Sequence, residues 1–334
     1  MKPAIAVLTD ARDPASGRVI AEELAARGHR IGLVTVDDDD WTIHTPTARH
    51  PVDRATLTVD TGAARIRFDF AFIAVHDHRG RGPLQACLDL ADVPYAGPGQ
   101  RTALTADDPA AARAALAGLD APHLDALTLP PGAPVDPARL LARFGLPCRV
   151  APHRRALFDA ADITRPAALA PAITALHRRG LTARVEAHLP GRAITCGVVA
   201  LGDRVRPLPL TEPHPEPGRR RTPADLAPAL TVRLHALAAR AWRALDCRGL
   251  ARVDFRLDAR HDDAPVIVDV DPLPLERAGP LLAGLLAAEL DPGVVLETLM
   301  NNTLAARRRA LDRAARPPRH RRPPNARDRR AAHL

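Results

Sequence analysis

Over its first hundred residues the chain alternates short apolar runs with stretches whose apolar residues recur at helical spacing. Residues 4–9 read as a strand. Ser16 can cap a helix reaching about residue 27, Gly28 suits the turn after it, and residues 30–36 form the next strand. A further apolar strand is predicted at 68–75 and a helix at 84–91, followed by the turn Val93-Pro94-Tyr95-Ala96-Gly97. This order of strand, helix and strand predicts a doubly wound parallel-sheet layer over residues 1–100.

The pattern then changes. Residues 101–185 are Pro-rich, with helices predicted at 109–116 and 166–179 and a strand at 148–150. Residues 186–306 carry strands that begin at 183–189 and continue at 194–201, 251–257 and 266–270. A long helix at 223–245 interrupts them, and helices at 279–289 and 292–308 close the segment. Grouped strands and helices of this kind indicate α+β, so the chain reads as a multidomain α/β and α+β protein.

Charge looks at first like a nucleic-acid signal, at +8 overall. Its position changes the picture: eleven arginines against Asp312 and Asp328 place +9 beyond residue 306, which leaves the rest with one net negative charge. Residues 307–334, with four prolines, are expected to be a basic disordered tail able to meet an acidic partner or nucleic acid. Hydrophobic residues at 46% and charged residues at 26% suit a soluble protein, and no apolar run approaches a membrane span. With no signal-peptide pattern at the start, a cytoplasmic location is expected. Cys87, Cys148, Cys196 and Cys247 lie far apart, without the paired spacing of a zinc site or a disulfide framework.

The most specific chemistry lies in Ala251-Arg252-Val253-Asp254-Phe255 and Val268-Asp269-Val270-Asp271-Pro272, at the ends of two predicted strands. Alternation along a strand puts Asp269 and Asp271 on one face, where Asp254 of the neighbouring strand can join them. Three carboxylates converging there would suit a hard cation such as Mg²⁺. Acidic side chains simply facing water at strand ends fit the same spacing.

These segments resemble the C-terminal core of the D-alanine–D-alanine ligase family, which has GxARxDF on one strand and ExNxxPG on the next. Further likeness lies in Val185-Glu186-Ala187-His188-Leu189-Pro190-Gly191, similar to the family's hinge strand beside adenine. His76 matches the histidine of a family loop, and Cys148-Arg149-Val150-Ala151-Pro152 resembles the strand that normally reads VKP. The resemblance spans about residues 1–306 and implies an ATP-grasp fold, ATP and Mg²⁺ as cofactors, and an amino-acid-like substrate. It implies Asp254, Asp269 and Asp271 as metal ligands, and Arg252 as the catalytic and substrate-contacting arginine with His76 beside the substrate. Glu186, Val150, Arg149 and Arg154 fall at the nucleotide, and a homodimer through the N-terminal layer is implied as well.

The same alignment exposes departures. The family's MDK lysine falls at Asp108 and its VKP lysine at Ala151, while the Gly-Ser-Ser-x-Gly phosphate loop is replaced by residues 153–158, which contain neither Gly nor Ser. Of the family's N-terminal substrate motif only Ser16-Gly17 remains, and its Pro-Gly reads Pro274-Leu275. Reversing one charge beside a phosphate at about 4 Å changes the interaction by several kcal/mol, even at an effective dielectric of about 20. Phosphoryl transfer depends almost wholly on such positioning and charge. The expectation is therefore a ligase-like protein with an eroded nucleotide site and weak or no activity, a pseudoenzyme. The alternative is an active ATP-dependent carboxylate–amine ligase in which Arg149, Arg154, Arg155 and Arg219 to Arg221 replace the lysines.

Overall fold

A computed structural model of the chain describes residues 2–11, 14–37, 40–45, 48–75, 82–153, 161–202, 204–214, 216, 219–274 and 279–315. The first layer holds β1 (Ala4–Asp10), α1 (Ala15–Ala26), β2 (Arg30–Asp37), β3 (Asp40–His44), β4 (Arg49–Asp53), β5 (Thr58–Asp60), β6 (Arg65–Arg67), β7 (Phe70–Ala74), α2 (Pro83–Leu90) and β8 (Tyr95–Ala96). They form one sheet in the order β6-β5-β4-β3-β2-β1-β7-β8. Ile5 to Leu8 and Phe70 to Ala74 are buried on both strand faces, as central parallel strands require. Only β2, β1, β7 and β8 run parallel; β3 to β6 extend the sheet as an antiparallel meander. Those strands are short and carry few apolar residues, which is why periodicity did not reveal them. Ser16 is not a cap: α1 starts after Pro14 without a side-chain cap, and Ser16 is buried. A Cβ on Gly17 would lie 2.5 Å from Thr9 Cβ, so the Ser16-Gly17 pair serves close packing of α1 onto β1.

The middle of the chain supplies α3 (Gln100–Asp107), α4 (Pro109–Leu116), β9 (Ala126–Leu129), α5 (Pro137–Phe144), β10 (Cys148–Pro152), β11 (Ala161–Ile163), α6 (Pro166–Arg178) and β12 (Ala183–Ala187). The four strands make an antiparallel sheet, β11-β10-β12-β9, backed by α5 and α6. Because β12 runs through Ala187, this sheet crosses the boundary expected at 185/186 and ends where residues 188–192 turn away.

The third sheet has the order β14-β13-β17-β18, from β13 (Ala193–Leu201), β14 (Arg204–Pro207), β17 (Leu250–Asp258) and β18 (Ala264–Asp271). A small hairpin of β15 (Glu212–Pro213) and β16 (Arg220–Arg221) precedes α7 (Pro228–Ala244), whose Leu234, Leu237, Ala238 and Ala241 cover the sheet. The chain closes with α8 (Pro280–Ala287) and α9 (Pro292–Ala314). Val295, Leu296, Leu299 and Met300 of α9 pack with Ile5, Val7, Phe70 and Phe72, which joins the third sheet to the first layer in one core.

Two expectations change at the end of the chain. α9 continues beyond residue 308, so the first residues of the basic segment are helical: 305–314 is rich in Ala, Leu and Arg, all strong helix formers, and has no proline. Residues 316–334 lie outside the described residues. None of the described helices is long and apolar enough to cross a membrane.

Candidate active site

The second and third sheets face each other across a cleft. A cavity of about 290 Å³ opens there, lined among others by Arg149, Asp162, Glu186 and Ala187 from the second sheet and by Ala193, Arg256 and Val268 from the third. Residues 188–189 of the connecting turn form one wall. Arg149 and Glu186 are direct cross-strand partners, so both side chains leave the same face of the second sheet. Val150, expected beside the nucleotide, points the other way: one step along β10 reverses the side chain, and it is buried in the core beneath the sheet. Burial first, and then the nearby Arg149 charge, hold the Arg256 guanidinium below its ordinary pKa, against the opposing pull of Glu186, Asp162 and Asp254.

Deeper in the cleft the expected acidic residues do gather. Asp254 lies directly opposite Asp269, and Arg252 opposite Asp271, on one face of the β17–β18 pair. Arg252 Nε donates to Asp254 Oδ2 at 3.1 Å, with Nη2 3.9 Å from Asp271 Oδ2. Asp254 Oδ1 also accepts from Thr195 Oγ1 at 2.7 Å, and Asp271 Oδ1 from the Leu273 amide at 3.0 Å. Asp269 faces Arg184, whose Nη1 is 3.5 Å away. Arg184 Nε lies 2.9 Å from Glu186 Oε2, and its Nη2 donates to the Val268 carbonyl at 2.7 Å. Burial works against the charge of Arg184, yet Glu186 and Asp269 outweigh it and hold its pKa above the ordinary value. Among the described residues no group of three or more carboxylate, imidazole or thiol side chains is arranged to hold a metal ion. The donors facing these oxygens are guanidinium, hydroxyl and amide hydrogens, so the carboxylates as placed do not fit a shared divalent ion.

His123 borders this cluster, its backbone bridged to Ile267 of β18. Burial, and then the Arg184 charge, push its pKa down to about 4. A group whose folded pKa lies below its unfolded value favours the fold while neutral. Its contribution is complete above the unfolded pKa of about 6.5 and declines as pH falls towards 4. Wild type should therefore lose about 2 kcal/mol more than His123→Gln between pH 7 and pH 5, measured by urea unfolding. Equal losses would show that His123 titrates alike in the folded and unfolded protein.

The two positions that the resemblance sets against the family's lysines have local roles here. Asp108 is the N-cap of α4, accepting from the Ala110 amide at 2.7 Å and the Ala111 amide at 3.0 Å, a contribution of about 1 kcal/mol to that helix. Ala151 lies directly across the ladder from Arg184. Arg219 pairs with Glu216, and Arg221 with Asp225, so the arginines of this hairpin are engaged locally, and neither lines the cavity. His76, Arg154 and Arg155 fall outside the described residues.

Sequence reasoning passed over Arg184, Arg256, Thr195 and His123. One signal was present: Arg184 and Glu186 are two apart on an expected strand and so share its face. The contact between Arg184 and β18, which gives that face its meaning, joins residues 84 positions apart.

Comparison with known proteins agrees with this architecture. A family profile described as "D-ala D-ala ligase C-terminus" matches residues 136–276. D-alanine–D-alanine ligase of Porphyromonas gingivalis is 30% identical over 291 residues, 81% of this chain and 87% of that protein. Among solved structures, D-alanyl-alanine synthetase A from Vibrio cholerae superposes with a TM-score of 0.76 at 20% identity, covering 91% of this chain and 99% of the other. D-alanine–D-alanine ligase from Bacillus anthracis, solved in complex with ATP, gives a TM-score of 0.70 at 18% identity, covering 92% and 99%. With the two-sheet cleft, the acidic strand ends and a relative that matches over most of both chains, this protein belongs to the D-alanine–D-alanine ligase family and has its ATP-grasp fold.

Proposed function

We propose that this chain is a D-alanine–D-alanine ligase-like protein whose cleft handles nucleotide phosphates poorly, with weak or no ligase turnover. One observation carries the reading: two of the cleft's arginines, Arg184 and Arg252, are engaged with its own carboxylates. Arg184 is held by Glu186 and Asp269, and Arg252 by Asp254, while the two lysine positions hold a helix-capping aspartate and an alanine. A phosphoryl-transfer site needs positive groups aimed at oxygens that gain charge in the transition state. A guanidinium already holding an acid would have to give up that partner first.

A second reading, an active ATP-dependent carboxylate–amine ligase acting on D-amino acids, is favoured by a different feature. Arg184 stands directly opposite Ala151, so a cation lost from β10 has a counterpart on β12, and Arg149 adds another at the cavity. Thermal unfolding with millimolar ATP and Mg²⁺ separates the two. The first reading expects no shift in Tm. Binding at a hundredfold excess over Kd would add about 2.7 kcal/mol, and a shift of that order, accompanied by phosphate release that depends on an added D-amino acid, establishes the second reading and ends the first.

A further inference from the structure

We infer that Arg184 is the resident cation of this cleft, its guanidinium standing where a divalent metal ion would otherwise face Asp269 and bridging the two sheets. The inference rests on the reading of the cleft as the family's nucleotide cleft, and it adds a named residue and an excluded ligand class, divalent cations.

The argument begins with position. Arg184 leaves the second sheet beside Glu186, crosses the cleft and reaches β18, where Nη2 donates to the Val268 carbonyl at 2.7 Å. That carbonyl precedes Asp269, so the guanidinium comes to within 3.5 Å of Asp269 Oδ1. Its third nitrogen, Nε, is 2.9 Å from Glu186 Oε2. All three nitrogens of one planar, permanently charged group thus lie within 3.5 Å of acceptors, two of them carboxylates from opposite walls; Nη2 makes the hydrogen bond, and Nε meets Glu186 in an ionic contact without hydrogen-bond alignment.

Occupancy follows from chemistry. A hard divalent ion takes carboxylate oxygens at roughly 2.0–2.6 Å and needs several of them turned to one point. Here the carboxylates are divided between two guanidinium groups, Asp269 and Glu186 with Arg184, Asp254 and Asp271 with Arg252. Arg184 is also 7% exposed. For an ion to enter beside Asp269, this buried guanidinium would have to withdraw, giving up its contacts with both walls. An arginine in this position neutralises the acids without ligand exchange and ties the two sheets together.

The test is titration of the full-length chain with Mn²⁺, with and without ADP, following free Mn²⁺ by electron paramagnetic resonance. Wild type should bind no more Mn²⁺ than Asp269→Asn or Asp254→Asn. Arg184→Met should gain one site at least tenfold tighter, which either aspartate substitution then removes. A wild-type site lost in Asp269→Asn overturns the inference, as does a folded Arg184→Met protein that gains none. Should Arg184→Met not fold, the wild-type comparison with the two aspartate variants decides alone. Arg184→Lys, keeping the charge, should behave as wild type, and a gained site there also counts against the inference. The nucleotide experiment is independent: ATP binding without a metal requirement would sink the proposed loss of function and leave Arg184 in this role, whereas Mn²⁺ binding without any nucleotide effect would do the reverse.

Discussion

Arg184→Met should lower the free energy of unfolding by about 3–5 kcal/mol, the range expected when one partner of a buried ion pair is removed. Methionine replaces the aliphatic length of arginine but none of its donors, so lost packing is a small part of the cost. The larger part is what remains. Glu186 is 5% exposed and Asp269 is partly shielded, and both would keep negative charge in a cleft that already contains Asp254 and Asp271. The Val268 carbonyl also loses its donor. Because the penalty comes from the stranded acids, Arg184→Met combined with Glu186→Gln should be more stable than the sum of the two single losses predicts, by about 0.5–3 kcal/mol. Urea unfolding at pH 7 measures all four proteins of that cycle. A loss below about 1 kcal/mol for Arg184→Met would show that water solvates the acids freely and that the arginine is a surface group in effect.

Gly191→Ala should destabilise the protein by about 3 kcal/mol or more, and the damage should centre on the turn between the second and third sheets. Gly191 has φ +134°, a backbone conformation essentially confined to glycine. The added methyl would lie 1.6 Å from the Leu257 carbonyl oxygen and 3.1 Å from the Ala259 nitrogen. Both neighbours are backbone, so no rotamer change relieves the clash. The turn also carries the hydrogen bonds that dock it on β17: Leu257 N–H to the Arg192 carbonyl at 2.9 Å, Ala259 N–H to the Pro190 carbonyl at 3.2 Å, and Arg256 Nη1 to the Gly191 carbonyl at 3.2 Å. Strain of about 1–3 kcal/mol and the loss of bonds worth about 1 kcal/mol each give the estimate. Gly118→Ala, at a glycine with no heavy atom within 4 Å of the added group, is the control and should stay near wild type. Indistinguishable melting of the two variants would mean that the turn relaxes freely and does not hold the cavity wall.

The two predictions concern residues of different legibility. Gly191 sits in a segment whose Pro-Gly turn and following strand are visible in the chain, and the family resemblance pointed to it as the hinge. Arg184 lies only a few residues earlier, on the same expected strand, and reads in sequence as one more arginine among 46. Its neighbours decide its meaning, and two of them, Val268 and Asp269, are 84 and 85 positions away. Asp108 teaches a related point. As a charge it reads as an anion where a phosphate would want a cation; in the structure it is also the cap that starts α4.

Local pattern by itself determined the buried strands β1, β7, β13, β17 and β18, the long helix α7, and the common face of Asp269 and Asp271, because strand alternation and apolar runs are properties of neighbouring residues. Tertiary structure decided the antiparallel meander beyond β2, the packing of α9 into the core of the first layer, and the pairing of each acidic strand end with an arginine. A carboxylate is a ligand, a cap or an ion-pair partner according to which groups the fold brings within about 3 Å of it, and those groups come from distant parts of the chain.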